Sequence, residues 1–144
     1  MLQKTLNFLQ ECKIFYLATS DADYLETLDG DQPRVRPFGL AIEHDGKLWF
    51  GTANTKKVYQ ELKLNPKFEI SATSPAMEWI RLTGKAVFEP NADVKRKAFE
   101  LLPMLSQIYK GPDDPVFEVF YIAEAKVVFQ SMGKYAETPE VHRF

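Results

Sequence analysis

The chain has 144 residues, 45% of them hydrophobic and 26% charged, and a formal net charge of −2. That length suits one domain with a single core, and the composition is globular rather than disordered. With basic residues dispersed and the charge near zero, no general field attracts nucleic acid or an anionic membrane, so any anion site must be local. Leu2, Leu6 and Leu9 recur at helical spacing among polar residues and predict an amphipathic helix ending near Cys12. Ile14 to Thr19, rich in branched and aromatic residues, predicts a strand, and Asp29-Gly30 within Tyr24 to Gln32 is a hairpin-turn signal. Arg34 to Glu43 reads as a strand whose Pro37 calls for an edge or a bulge. Asp45-Gly46 then turns the chain, and Lys47 to Thr52 returns as the hairpin partner.

Thr55 is a hydroxyl cap candidate for a short helix that carries Val58, Tyr59 and Leu62 and stops at Asn65-Pro66. Strands are expected over Lys67 to Thr73 and Glu78 to Glu89, followed by a helix capped by Asn91. Its apolar face is Val94, Ala98, Leu101 and Leu102, and Pro103 should end or kink it. Phe117 to Ile122 and Lys126 to Gln130 are strand-like, and the polar tail from Gly133 is expected to be less ordered. About six strands with three interspersed short helices, and no regular strand-helix alternation, predict a mainly β (α+β) fold. The expected architecture is a β-barrel with helical covers in one domain spanning 1–144.

The lone cysteine excludes an internal disulfide framework and fits a reducing compartment. Met1 to Leu6 is too polar for a signal-peptide core and no apolar run approaches membrane-spanning length, so the expected address is cytoplasmic. His44 and His142 lie far apart with no second ligand at a metal-binding spacing, which argues against a protein metal site and against histidine-activated hydrolysis.

The local anion site has two candidate halves. Arg34 and Arg36, two positions apart on a strand, leave the same face of the sheet. On an outer face they are a screened surface stripe; on an inner or interfacial face they require a nearby anion. Thr52-Ala53-Asn54-Thr55-Lys56-Lys57 lies where a strand hands over to a helix, and free N–H groups and the helix dipole favour negative charge at such a place. Lys56 and Lys57 in a first helical turn oppose that dipole, a local inconsistency typical of functional sites; the bland alternative is an ordinary cap with solvated lysines. Neither a Gly-x-x-x-x-Gly-Lys loop nor a Gly-x-Gly-x-x-Gly fingerprint occurs, which leaves a mononucleotide phosphate open.

Several blocks, in order, carry a resemblance: Gln32-Pro33-Arg34-Val35-Arg36-Pro37-Phe38-Gly39; Leu48 to Val58; Asn65-Pro66; Ile80 to Ala86; and Phe117 to Ile122. Together they resemble the pyridoxamine 5'-phosphate oxidase-like family of FMN-binding split-barrel proteins over nearly the whole chain. The resemblance implies a six-stranded split β-barrel with short flanking helices, forming a homodimer with two FMN molecules in clefts at the subunit interface. It implies flavin contacts from Arg34, Val35, Arg36, Pro37 and Phe38, and places Phe50 and Gly51 on the cofactor-binding strand. Thr52, Thr55, Lys56 and Lys57 match the phosphate turn. Trp79 and Arg81 match a region that approaches the flavin from the other subunit, with a cross-strand packing pair as the alternative. Some relatives use the deazaflavin F420 or bind haem.

The stretch Ser20 to Leu28 is longer than the corresponding hairpin of relatives, and the C-terminal pyridoxal-phosphate-binding segment of the true oxidases is not evident. The expectation is therefore an FMN-dependent oxidoreductase acting on a small molecule, other than a vitamin B6 oxidase, with a non-catalytic flavin carrier or redox sensor as the alternative. No catalytic side chain is identified.

Overall fold

The computed structural model describes residues 1–20, 32–131 and 139–144. Among them, eight strands form one antiparallel sheet flanked by three α-helices. The strands are β1 (Phe15–Ser20), β2 (Pro33–Phe38), β3 (Ile42–His44), β4 (Lys47–Ala53), β5 (Lys67–Thr73), β6 (Glu78–Phe88), β7 (Phe117–Ser131) and β8 (Glu140–Arg143). They run in the order β2-β1-β5-β6-β7-β4-β3, with β8 also on β7. Side chains from β1 and β4, far apart in that order, meet in one core: the rings of Phe15 and Phe50 lie 5.9 Å apart, and Phe68, Phe120, Ile70, Ile80 and Leu82 surround them. The sheet therefore curls around its interior in the manner of a barrel. Alternation along β1, with Phe15, Leu17 and Thr19 buried and Tyr16 exposed, is the period-2 signature that sets its register.

The expected count of about six strands gives way to eight for local reasons. The run Arg34 to Glu43 is two strands, β2 and β3, separated by Gly39-Leu40-Ala41. Pro37 is accommodated because, among the described residues, β2 pairs with β1 alone and so lies at a sheet edge. Conversely, the two strand-like runs after Phe117 are one 15-residue strand. Its pairing with β6 shifts register around Thr83 and Lys85, opposite Glu124, whose φ of 53° marks a bulge. Within the tail expected to be less ordered, Glu140–Arg143 pairs with Lys126 to Phe129 as β8. The Asp29-Gly30 turn and most of the Ser20 to Leu28 stretch lie outside the described residues.

Helix α1 (Leu2–Cys12) buries Leu6, Phe8 and Leu9 against the main core. The tight turn at Asp45-Gly46 has positive φ at both residues, the backbone that joins two strands with the right twist. Helix α2 (Lys57–Leu64) begins at Lys56, whose backbone is extended and makes no side-chain cap bond, so Thr55 is not its cap. Asn91 does cap α3 (Ala92–Leu101), its Oδ1 accepting the Val94 N–H at 3.1 Å. Val94 and Ala98 are buried as expected, while Leu101 is exposed. Pro103 ends the helix and starts a 3-10 helix, Pro103–Gln107. No described helix is long and apolar enough to cross a membrane.

Gly84 sits beside the bulge, where an added Cβ would fall 2.4 Å from Ile122 Cγ1 and 2.8 Å from the Ala123 carbonyl oxygen. Because part of that contact is backbone, Gly84→Ala is expected to separate β6 from β7 and destabilise by about 3 kcal/mol in urea unfolding. A loss below about 0.5 kcal/mol would show that the bulge relaxes freely.

Candidate functional site

Strand β4 ends in Gly51-Thr52-Ala53, a short turn follows, and α2 starts. A cleft of about 520 Å³ opens there. The edge strand β2 contributes Arg36, Pro37 and Phe38, and Gly39 and Leu40 continue the same wall. Gly51 and Thr52 come from β4, and Lys56, Lys57 and Val58 from the start of α2. The opposite wall is apolar and comes from the segment after α3: Leu102, Met104, Leu105, Ile108 and Tyr109, with Phe117 of β7 beside it. Gly51 is required for this shape, since a Cβ there would meet Phe117 Cε1 at 2.8 Å and Leu40 Cδ2 at 3.0 Å.

One end of the cleft gathers cations and hydrogen-bond donors. The N–H groups of Lys57 and Val58 open α2, so no preceding helical turn supplies them with acceptors. Thr52 is only 4% exposed and borders the cleft. Lys56 and Lys57 are exposed and form no ion pair among the described residues. These donors and the helix dipole converge as an anion site requires.

Arg36 behaves differently. Its guanidinium donates to Glu61 Oε2 of α2 at 2.7 Å and to Thr19 Oγ1 of β1 at 2.7 Å. The Leu17 carbonyl accepts a further bond from it at 3.3 Å. Glu61 is 7% exposed and also accepts from Thr19 at 2.5 Å. The arginine is thus the counter-ion of a nearly buried carboxylate and ties β1, β2 and α2 together, while one side of it lines the cleft. The inner-face option for the arginine pair therefore holds for Arg36, and the anion it meets is Glu61. Arg34 pairs with Thr19 on the same face of β2 but is exposed and does not line the cleft.

Of the other residues singled out in the sequence, Pro37, Phe38, Gly51, Thr52, Lys56 and Lys57 line the cleft together. Val35 points outward and is exposed, and Thr55 lies in the turn outside the lining. Phe50 is fully enclosed among Phe15, Phe68 and Phe120. Trp79 and Arg81 lie on the same strand, β6, outside this protomer's cleft lining: the Arg81 guanidinium stacks 5.2 Å from the Trp79 ring and sits 3.6 Å from Glu69 across on β5. Residues 102–109 were not singled out as site residues. The signal was present as five large apolar residues in a segment too short and proline-broken to hide them in a helix.

The apolar wall is held by Asp114. Its carboxylate accepts the Lys110 N–H at 2.8 Å and the Val116 N–H at 2.9 Å, closing the loop that sets Tyr109 against Phe117 with ring centroids 4.8 Å apart. Those two backbone bonds hold the Asp114 carboxyl below the usual aspartate range. Burial, and then the nearby Asp114 charge, push the Tyr109 hydroxyl up, so it stays protonated at neutral pH. Because the folded-state value of Asp114 is depressed, the loop's stabilisation is present above the ordinary aspartate pKa and is lost as pH falls through the folded value. Corrected for intrinsic rates, amide exchange at Lys110 and Val116 is expected to accelerate as pH drops below about 4, and in Asp114→Asn, which has no carboxylate to protonate, to be faster from the start without that pH dependence. In the native chain, exchange independent of pH in this range would remove Asp114 as the latch.

Fold and cleft together define a curled β-barrel protein with a slot that is cationic at one end and apolar along one wall. The chain belongs to the pyridoxamine 5'-phosphate oxidase family, whose model matches residues 1–131. Its fold agrees with the family's split barrel. A NimC/NimA family protein from Clostridium acetobutylicum is 38% identical, with a TM-score of 0.85 over 99% of this chain and 93% of that one. A pyridoxamine 5'-phosphate oxidase-related, FMN-binding protein from Nostoc punctiforme is 12% identical, with a TM-score of 0.65 over 99% and 94% of the two chains. A heme binding protein from Mycobacterium smegmatis is 16% identical, with a TM-score of 0.71 over 99% of this chain and 57% of that one. The last two similarities show the fold. No curated protein matches the sequence.

Proposed function

We propose that this protein binds FMN in the cleft between β2, α2 and residues 102–109 and is an FMN-dependent oxidoreductase acting on a small molecule. The observation that carries the reading is one slot of about 520 Å³ that joins an anion-binding helix start to an apolar wall. FMN has the same two parts, a phosphate and a flat aromatic ring. Lys56, Lys57, the Thr52 hydroxyl and the first N–H groups of α2 would hold the phosphate. The backbone of Pro37 to Gly39 and the side chains of Leu105, Tyr109 and Phe117 would border the ring.

When bound, FMN supplies hydride or single-electron transfer; the protein's own part is to position the ring and keep water from one side of it. No cleft side chain is required as an acid or base, and Tyr109 is the only neutral hydroxyl on the apolar wall. Haem is disfavoured because neither His44 nor His142 borders the cleft: His44 lies 3.0 Å from Lys97 Nζ, and His142 is 2.6 Å from Glu140.

The same reading includes a homodimer with the cofactor at its interface. It is supported by the edge position of β2 and by the exposed apolar residues Ile14, Tyr16 and Val35 on and beside β1 and β2.

Purified protein should carry a flavin absorption band whose released cofactor has the mass of FMN, and the loaded protein should oxidise NADH or NADPH with at least one acceptor from a panel. A colourless protein that does not take up FMN defeats the proposal. Tight FMN with no turnover leaves the cofactor assignment standing and makes the protein a flavin carrier.

A further inference from the structure

The two halves of the cleft come from stretches far apart in sequence: Lys56 and Lys57 follow β4, whereas the apolar wall of residues 102–109 precedes β7. A ligand that touches both depends on the distance between them. Asn54, which is outside the cleft lining, spans that distance. It lies in the turn after β4, which the Lys56 N–H closes on the Ala53 carbonyl at 3.1 Å. Its own N–H donates to the Val116 carbonyl at 2.9 Å. Its side-chain amide donates to the Pro115 carbonyl at 2.8 Å and to Glu118 Oε1 at 3.2 Å, so each proton of Nδ2 has an acceptor. Pro115 and Val116 belong to the loop that Asp114 closes by accepting the N–H groups of Val116 and Lys110. Tyr109 comes next in the chain. A continuous run of hydrogen bonds thus leads from the turn bearing Lys56 to the wall bearing Tyr109. Every bond in it is made within one protomer, so it stands whatever a second copy brings to the cleft.

We infer that Asn54 is a positioning residue of this site: it fixes the separation between the anion end and the apolar wall, and so favours a ligand whose phosphate and ring are held that far apart. The inference rests on the FMN reading. Binding at two points gains from a fixed spacing, because once one end is seated the other meets its partner at a high effective concentration. Loosening the spacing removes that gain and leaves the contacts at each end in place.

Three probes titrated against the native chain and Asn54→Ala separate this role from a plain loss of structure. FMN spans both ends, riboflavin has the ring without the phosphate, and inorganic phosphate, read by its competition with FMN, occupies the anion end alone. Asn54→Ala should weaken FMN about tenfold, equivalent to about 1.4 kcal/mol, while riboflavin and inorganic phosphate each stay within about twofold of the native value. Asn54→Leu, uncharged and of similar size but without the donor, should give the same pattern, and it decides the matter should the alanine variant fail to fold. A parallel fall in FMN and riboflavin would mean that the wall itself has collapsed. A parallel fall in FMN and inorganic phosphate would mean that only the anion turn has moved. Either pattern overturns the inference, as does unchanged FMN binding in both variants, and in each of these cases FMN uptake by the native chain leaves the proposed function intact. A native chain that takes up no FMN is a different result, which removes the underlying reading and this inference with it.

Discussion

Replacing both Lys56 and Lys57 with alanine is expected to weaken FMN binding about 100-fold, or ~2.7 kcal/mol, and to leave riboflavin binding within about twofold of the native value. Riboflavin has the same ring and ribityl chain without the phosphate, so the ratio of the two affinities isolates the anion end of the cleft. The size of the loss follows from the chemistry: hydrogen bonds involving a charged partner contribute about 1.5–3 kcal/mol each, and two exposed ammonium groups are reduced toward the lower figure by water and salt. Both side chains are exposed and unpaired among the described residues, so their removal should not disturb the fold. Parallel fluorescence titrations with FMN and riboflavin give the answer. An equal fall in both affinities, or no fall in either, would place the phosphate elsewhere.

Arg36→Ala should act on stability more than on charge recognition, costing about 3 kcal/mol in urea unfolding. Removing the guanidinium leaves Glu61, 7% exposed, without its counter-ion and, among the described residues, with only the Thr19 hydroxyl as a hydrogen-bond partner. A buried carboxylate stripped of its partner is more damaging than the loss of the pair as a whole. Glu61→Leu on top of Arg36→Ala should therefore recover more than half of the loss, and the resulting double-mutant cycle reports the coupling directly. If Arg36 were an ordinary surface cation, the single substitution would cost less than about 0.5 kcal/mol and the cycle would show no coupling. Whatever change Arg36→Ala makes in flavin affinity should be shared by FMN and riboflavin, because it acts through the placement of α2.

The contrast between these two predictions shows what was legible in the sequence. The strand-to-helix turn at Thr52 to Lys57 stood out in the sequence because lysines at a helix start oppose the helix dipole, and the structure brings Thr52, Lys56 and Lys57 to one cleft. Arg34 and Arg36 looked equivalent by spacing. What separated them was Glu61, a residue 25 positions after Arg36. Its signal was faint but physical: it stands among Val58 and Leu62 on the buried side of α2, where an acidic residue needs a partner.

The apolar residues of the wall were visible in the sequence, but their position in the fold was not. Residues 102–109 follow a proline-broken helix end; Leu102, Leu105 and Tyr109 keep a helical spacing, but the segment is too short for that pattern to place them until the Asp114 loop is seen closing behind them. Strand boundaries failed in both directions at β2/β3 and β7. A bulge that lets a strand continue through Glu124 and a break at Gly39 to Ala41 both depend on neighbours that a single segment cannot reveal.

The 15-residue strand β7 has a bearing on how the molecule opens. Its first part, Phe117 to Tyr121, pairs with β4, the strand that carries Gly51 and Thr52, whereas Lys126 to Phe129 pairs with β8. The Glu124 bulge lies between the two stretches. One strand thus belongs to two neighbourhoods with separate allegiances, and β8 can peel away without withdrawing a hydrogen bond from the floor of the cleft. Native-state exchange should show the amides facing β8 breathing at low free-energy cost, while those facing β4 are released only in global unfolding.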